Sequence, residues 1–74
     1  MRQNDLEMLV NRVPCPRLRL YMTGGAVFEI TDGDLVVIGR STVEMLLSPS
    51  SEGEREAVIS LLHIIWIEVL PPAS

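Results

Sequence analysis

Apolar residues early in the chain recur with the period of a helix. Leu6, Leu9, Val10 and Val13 follow the i, i+3, i+4, i+7 spacing of one helical face. The pattern predicts a helix over residues 5–13, with Asn4 as its cap and Glu7 as the reciprocal partner of a capping box. Pro14 and Pro16 stop it. A helix this short is unstable alone, so its stripe must lie on something apolar. From Arg17 the period drops to two. Leu18, Leu20 and Met22 point one way, and Arg17, Arg19, Tyr21 and Thr23 the other, which predicts a half-buried strand over 17–23. Gly24-Gly25 turns the chain. A second strand follows over 26–31, with Ala26, Phe28 and Ile30 on one face.

Matching faces across this hairpin selects its loop. A two-residue loop would set Leu20 opposite Glu29. A three-residue loop over 24–26 sets Met22 opposite Phe28, Leu20 opposite Ile30 and Tyr21 opposite Glu29, and is the expectation. Asp32-Gly33 signals a tight turn. Residues 35–38 are apolar on both faces, and Val43, Met45 and Leu47 resume the alternation. One strand over 35–47, bent at Gly39, accounts for both. Residues 48–56 read as a polar, mobile loop.

The stretch 57–70, AVISLLHIIWIEVL, is almost wholly apolar and rich in β-branched residues. It is shorter than the ~18 apolar residues that a membrane span needs. A single strand of that length would reach roughly 45 Å at about 3.3 Å per residue, too far for a small domain. Two strands are expected, 57–61 and 64–70, broken near 60–63. Both faces are apolar, and a short chain has little interior to hide both. Part of this surface is therefore expected to meet another subunit, with Ile59, Leu61, Ile65, Trp66, Ile67 and Val69 as interface candidates.

Composition sharpens that expectation. A chain of 74 residues makes one domain, 1–74, and domains this small are marginal unless stapled or oligomeric. One cysteine, Cys15, excludes an internal disulfide and fits a reducing, cytoplasmic home. The N-terminal stretch does not read as a secretory signal. Net charge is −4, and there is no lysine. Such a surface attracts phosphate backbones poorly.

Two resemblances rest on these residues. Phe28-Glu29-Ile30, Gly39-Arg40-Ser41-Thr42-Val43 and Ile59-Ser60-Leu61-Leu62-His63-Ile64 resemble the segments of a family of short bacterial proteins with no established function. The chain departs from that family's pattern at Cys15 and at Asp32-Gly33. The order of helix, bent five-stranded barrel and tightly joined last strands resembles the Sm-like (LSm/Hfq) domain. That likeness implies rings in which the fifth strand of one subunit pairs with the fourth of its neighbour. It also implies a role for His63, which sits where such RNA chaperones carry a tyrosine-lysine-histidine run. Leu61 and Leu62 replace the aromatic and the cation here. The Asn and Arg-Gly pair of the Sm-like nucleotide pocket are also missing.

Arg17, Arg19 and Tyr21 form a basic-aromatic stripe of the kind that binds single-stranded nucleic acid. With Arg40 and His63 they are the candidate RNA or ligand contacts; the plainer readings are a solvated face paired with Glu29 and a histidine bonded to a backbone carbonyl. Asp32-Gly33-Asp34 lacks the other ligands of a calcium loop. Cys15 and the serines Ser41, Ser48, Ser50 and Ser51 lack a partnering base or an elbow motif. The expectation is a mainly β chain: a short N-terminal helix, then a five-stranded, strongly bent Sm-like or SH3-like small barrel. It is expected to be a non-enzymatic, homo-oligomeric, ring-forming interaction or adaptor protein without cofactor, metal or membrane. RNA binding is the alternative, disfavoured by the acidic, lysine-free composition.

Overall fold

Alternation is realised first in β1 (Arg17–Met22), whose Leu18, Leu20 and Met22 are buried while Arg17, Arg19 and Tyr21 stay half-buried on the other face. The computed structural model describes residues 1–50 and 53–72. Before β1 lies one helix, α1 (Gln3–Val10). After it come β2 (Val27–Ile30), a 3-10 turn (Gly33–Leu35), β3 (Val36–Ile38), β4 (Thr42–Ser50), β5 (Gly53–Ser60), a second 3-10 turn (Leu61–His63) and β6 (Ile64–Leu70). The chain is thus mainly β with one short N-terminal helix.

The strands form two three-stranded antiparallel sheets. The first has the order β2-β1-β6 and the second β3-β4-β5. The chain crosses between them at the two 3-10 turns. Between the sheets lies a core built on Leu18, Leu20 and Ile30 from the first and Val43, Met45 and Ile59 from the second, closed by Leu6 and Val10 of α1. Among the described residues the ladders do not close into a barrel.

Helix α1 begins and ends earlier than its apolar spacing implies. Leu6 N–H already donates to Arg2 O at 3.3 Å, so Asn4 lies inside the helix and cannot cap it. No side chain caps this end, and Glu7 instead accepts a bond from Gln3 Nε2 at 3.4 Å. Asn11 N–H closes the last turn on Glu7 O at 2.9 Å. Val13, left beyond the helix, is 97% exposed rather than part of the buried stripe.

The β1–β2 hairpin has a three-residue loop, but it spans 23–25. Leu20 pairs with Phe28, Leu18 with Ile30, and Arg19, not Tyr21, faces Glu29. The pairing is two residues from the expected one, a slip that keeps Leu18, Leu20, Phe28 and Ile30 on the core face, while Ala26, expected with them, is exposed. The turn decides between them: Gly25 N–H donates to Met22 O at 3.1 Å, and Gly24, third in that turn, has φ +90°.

The single bent strand expected over 35–47 is two strands. β3 folds back on β4 with Ile38 opposite Val43 and Val36 opposite Met45. Gly39 N–H donates to Thr42 O at 2.8 Å, which leaves Arg40 and Ser41 as the loop of a tight hairpin. Both arms bring an inward-facing apolar residue to the core, a solution that the alternation of 35–47 also fits. The polar segment 48–56 is not one loop: β4 runs on to Ser50 and β5 starts at Gly53, with Leu47 opposite Arg55. Ser51 and Glu52 lie outside the described residues. The Asp32-Gly33 turn is the first 3-10 turn, with Asp32 Oδ1 accepting from Asp34 N–H at 2.9 Å. The break expected near 60–63 falls at Leu61–His63.

Candidate functional site

The outer face of the first sheet gathers most of the polar candidates. Pairing sets Tyr21 between Val27 and Trp66, and Arg19 between Glu29 and Glu68. The Tyr21 and Trp66 rings stack with centroids 4.0 Å apart and planes 1° from parallel. Tyr21 O–H donates to Glu68 Oε1 at 2.9 Å, and Arg19 Nη1 donates to the same oxygen at 3.4 Å. Arg19 Nε stands 3.7 Å from Glu29 Oε2. Arg17 Nε donates to Pro71 O at 3.0 Å. The bond to Glu68, helped by partial desolvation, holds the Tyr21 phenol above its ordinary value. These ion pairs are exposed to solvent, which screens them, so they fix geometry more than they add stability.

That network alters the meaning of the basic stripe. Arg17 and Arg19 share their face with Glu29 and Glu68, so the four charges cancel. Phosphate recognition needs a local positive excess, and this face lacks one. Arg40 sits at the tip of the β3–β4 hairpin, on the exposed surface. Leu61 N–H donates to Ser41 O at 2.9 Å, which holds that tip against the turn carrying His63. His63 is exposed, and its carbonyl rather than its ring makes the cross-turn bonds. Thr23 N–H donates to that carbonyl at 2.8 Å and Thr23 Oγ1 at 3.3 Å.

The interface candidates separate by burial. Ile59 and Leu61 are core residues and are unavailable to a partner; their inward faces are filled by the protomer itself. Ile67 packs partly on that core. Ile65, Trp66 and Val69 remain exposed, at 66%, 51% and 46%. Val58 and Leu62, also exposed, were not among the candidates. The alternation of β5 around buried Ile59 was the available signal for Val58.

Each sheet has two edge strands, β2 and β6 in the first and β3 and β5 in the second. The hydrogen bonds around β1 and β4 set which backbone groups β6 and β5 leave open. Met22 N–H donates to Ala26 O and Thr23 N–H to His63 O. Antiparallel alternation then aims the backbone groups of Arg17, Arg19 and Tyr21 at β6, so those of Ile67 and Val69 face away from β1. The bond from Leu61 N–H to Ser41 O sets the phase of β5 likewise and leaves the groups of Val58 and Ser60 on its open side.

Cys15 Sγ donates only to Pro16 O at 3.4 Å. A cleft of about 680 Å³ between β2 and β4 holds Glu29 and Arg55 but neither Cys15 nor His63. Among the described residues no three His, Cys, Asp or Glu side chains are placed to hold a metal ion, and no helix is long and apolar enough to cross a membrane. The chain matches no known family, no curated protein and no solved structure in comparisons of each kind.

Proposed function

We infer that this is a non-enzymatic, self-associating interaction protein of the cytoplasm, an Sm-like small barrel whose copies join into a closed ring. The observation that carries the reading is the open edge of β6. Unpaired N–H and C=O groups of Ile67 and Val69 lie beside exposed Ile65, Trp66 and Val69. A long apolar edge of this kind is a template for another chain, and natural proteins cover such edges. The edge of β5 is open as well, and the two complement each other as strand partners.

Pairing order supports the Sm-like assignment. The first strand pairs with the second and the last, and β2 and β3 together stand for one strongly bent strand. Its bend falls at Gly33–Leu35 instead of Gly39. β5 and β6 then correspond to the fourth and fifth strands, through which Sm-like subunits meet.

Light scattering on the wild type, Ile65→Asp and Val69→Lys tests this. Covering an aliphatic side chain is worth about 1.5–3 kcal/mol, and Ile65 is two-thirds exposed and Val69 nearly half. The lost burial alone should therefore weaken every interface about three- to thirtyfold, and the desolvation of the introduced charge adds to this. Folded monomers are the expected result. A variant pair that keeps the wild-type mass refutes the edge reading. RNA binding is the second reading, carried by the bond from Leu61 N–H to Ser41 O, which ties the hairpin tip bearing Arg40 to the turn bearing His63. Anisotropy with short uridine-rich RNA at low salt, lost in Arg40→Ala plus His63→Ala, would favour it; absence of binding there removes it.

A further inference from the structure

The two outer sheet faces differ in how their charges are satisfied. On the first, Arg19 is held between Glu29 and Glu68. On the second, β4 turns Glu44 and Leu46 outward, β5 turns Val58 and Glu56 outward, and β3 turns Val37 outward. The register sets Glu44 between Val37 and Val58, and Leu46 opposite Glu56. Val37, Leu46 and Val58 are at least half exposed. Asp34 and Leu35 join Val37, Glu44, Leu46 and Glu56 around a shallow hollow of about 200 Å³. Among the described residues no cation pairs with Asp34, Glu44 or Glu56, and Arg55, next to Glu56, has the opposite orientation on β5.

Three carboxylates spread among exposed apolar side chains constrain what fits. They are not clustered closely enough to hold a metal ion, so a single divalent cation does not satisfy them. They repel phosphates, which argues against nucleic acid and anionic lipid. An apolar surface with a like-charged surround is complementary to a ligand that is both apolar and cationic. We propose that this face docks a basic, apolar segment of a partner protein, with arginine or lysine beside Asp34, Glu44 and Glu56 and aliphatic side chains on Val37, Leu46 and Val58. Glu56 and Val58 stand on the edge strand β5, but Asp34, Val37, Glu44 and Leu46 lie outside β5 and β6, so the proposal does not depend on ring formation.

The probe is a fluorescein-labelled peptide of alternating arginine and leucine, followed by anisotropy against the full chain at low salt. Each exposed charge pair is worth about two- to fivefold in affinity. Glu44→Gln plus Glu56→Gln should therefore raise Kd about tenfold, while Asp5→Asn plus Glu7→Gln, which changes net charge equally on α1, should leave it unchanged. Val37→Ser plus Val58→Ser should also weaken binding. Both positions are exposed, and circular dichroism verifies that the variants fold. An arginine–glycine peptide should bind more weakly, and a glutamate–leucine peptide not at all. Three results overturn the proposal: no binding of the arginine–leucine peptide, equal binding of the arginine–glycine peptide, or a Kd indifferent to Glu44 and Glu56. A change in the native mass of Glu44→Gln plus Glu56→Gln without peptide would overturn it too, because the occupant would then be a second copy.

Discussion

Gly33→Ala tests whether α1 closes the core against the first 3-10 turn. A Cβ built on Gly33 would stand 3.0 Å from Val10 Cγ1 and 3.0 Å from the Val10 carbonyl oxygen. The methyl can rotate away, but the oxygen belongs to the last residue of α1 and moves only with the helix. Overpacking of this kind costs about 1–3 kcal/mol. Reduced freedom of the unfolded chain returns about 0.4–1 kcal/mol. The net loss centres on about 1.3 kcal/mol and reaches about 2.6 kcal/mol, a large share of the ~3–5 kcal/mol that a core this small supplies. The central value should lower Tm by roughly 5–10 °C in a domain of this size. Two other glycines calibrate the result. Gly39→Ala meets only Thr42, no closer than 3.4 Å, and should stay within about 0.5 kcal/mol of wild type. Gly24→Ala meets nothing within 4 Å but must adopt φ +90°, at a cost of about 1–2 kcal/mol. Urea and thermal melts followed by circular dichroism at one fixed protomer concentration measure all three, since association shifts apparent stability. If Gly33→Ala melts with the wild type, α1 does not pack on this turn and the described closure of the core is wrong.

Two further outcomes follow from the core and the outer face. Leu20→Ala, at a fully buried position, should cost about 2–5 kcal/mol and unfold much of the protein, whereas Val13→Ala should be neutral in the same melts. Tyr21 is the only tyrosine, so absorbance near 295 nm titrates it alone; its midpoint should lie above the ordinary 10.0 and fall in Glu68→Ala. Because the folded value is raised, the contribution of Tyr21 to stability is complete below pH 10 and lost as pH climbs through the folded value. A midpoint unmoved by Glu68→Ala would show that the 2.9 Å bond is absent.

Period and parity were readable along the chain; register and partner were not. The two-residue alternation around Leu18, Leu20 and Met22 correctly divided β1 into core and outer faces. Yet a slip of two residues preserves that division, so only the Gly24-Gly25 backbone could choose Phe28 as the partner of Leu20. The same degeneracy hid the β3–β4 hairpin. Residues 35–38 are apolar on both faces, and Gly39 suits a bend and a turn flank equally. Arg17, Arg19 and Tyr21 were visible as one stripe, but Glu68 lies 49 positions beyond Arg19. Only the β1–β6 pairing shows that the stripe is neutralised. The acidic outer face of the second sheet was hidden for the same reason: Val37, Glu44 and Val58 come from three strands whose pairing no local pattern specifies.

The native mass of the purified protein bears most directly on the account. One protomer weighs 8.2 kDa, and copies joined through the edges of β5 and β6 predict a folded species at an integer multiple of that mass, reduced to single protomers by Ile65→Asp. A folded wild-type protein that stays at 8.2 kDa would contradict the claim that the open strand of Ile65, Trp66 and Val69 is covered by a sister chain.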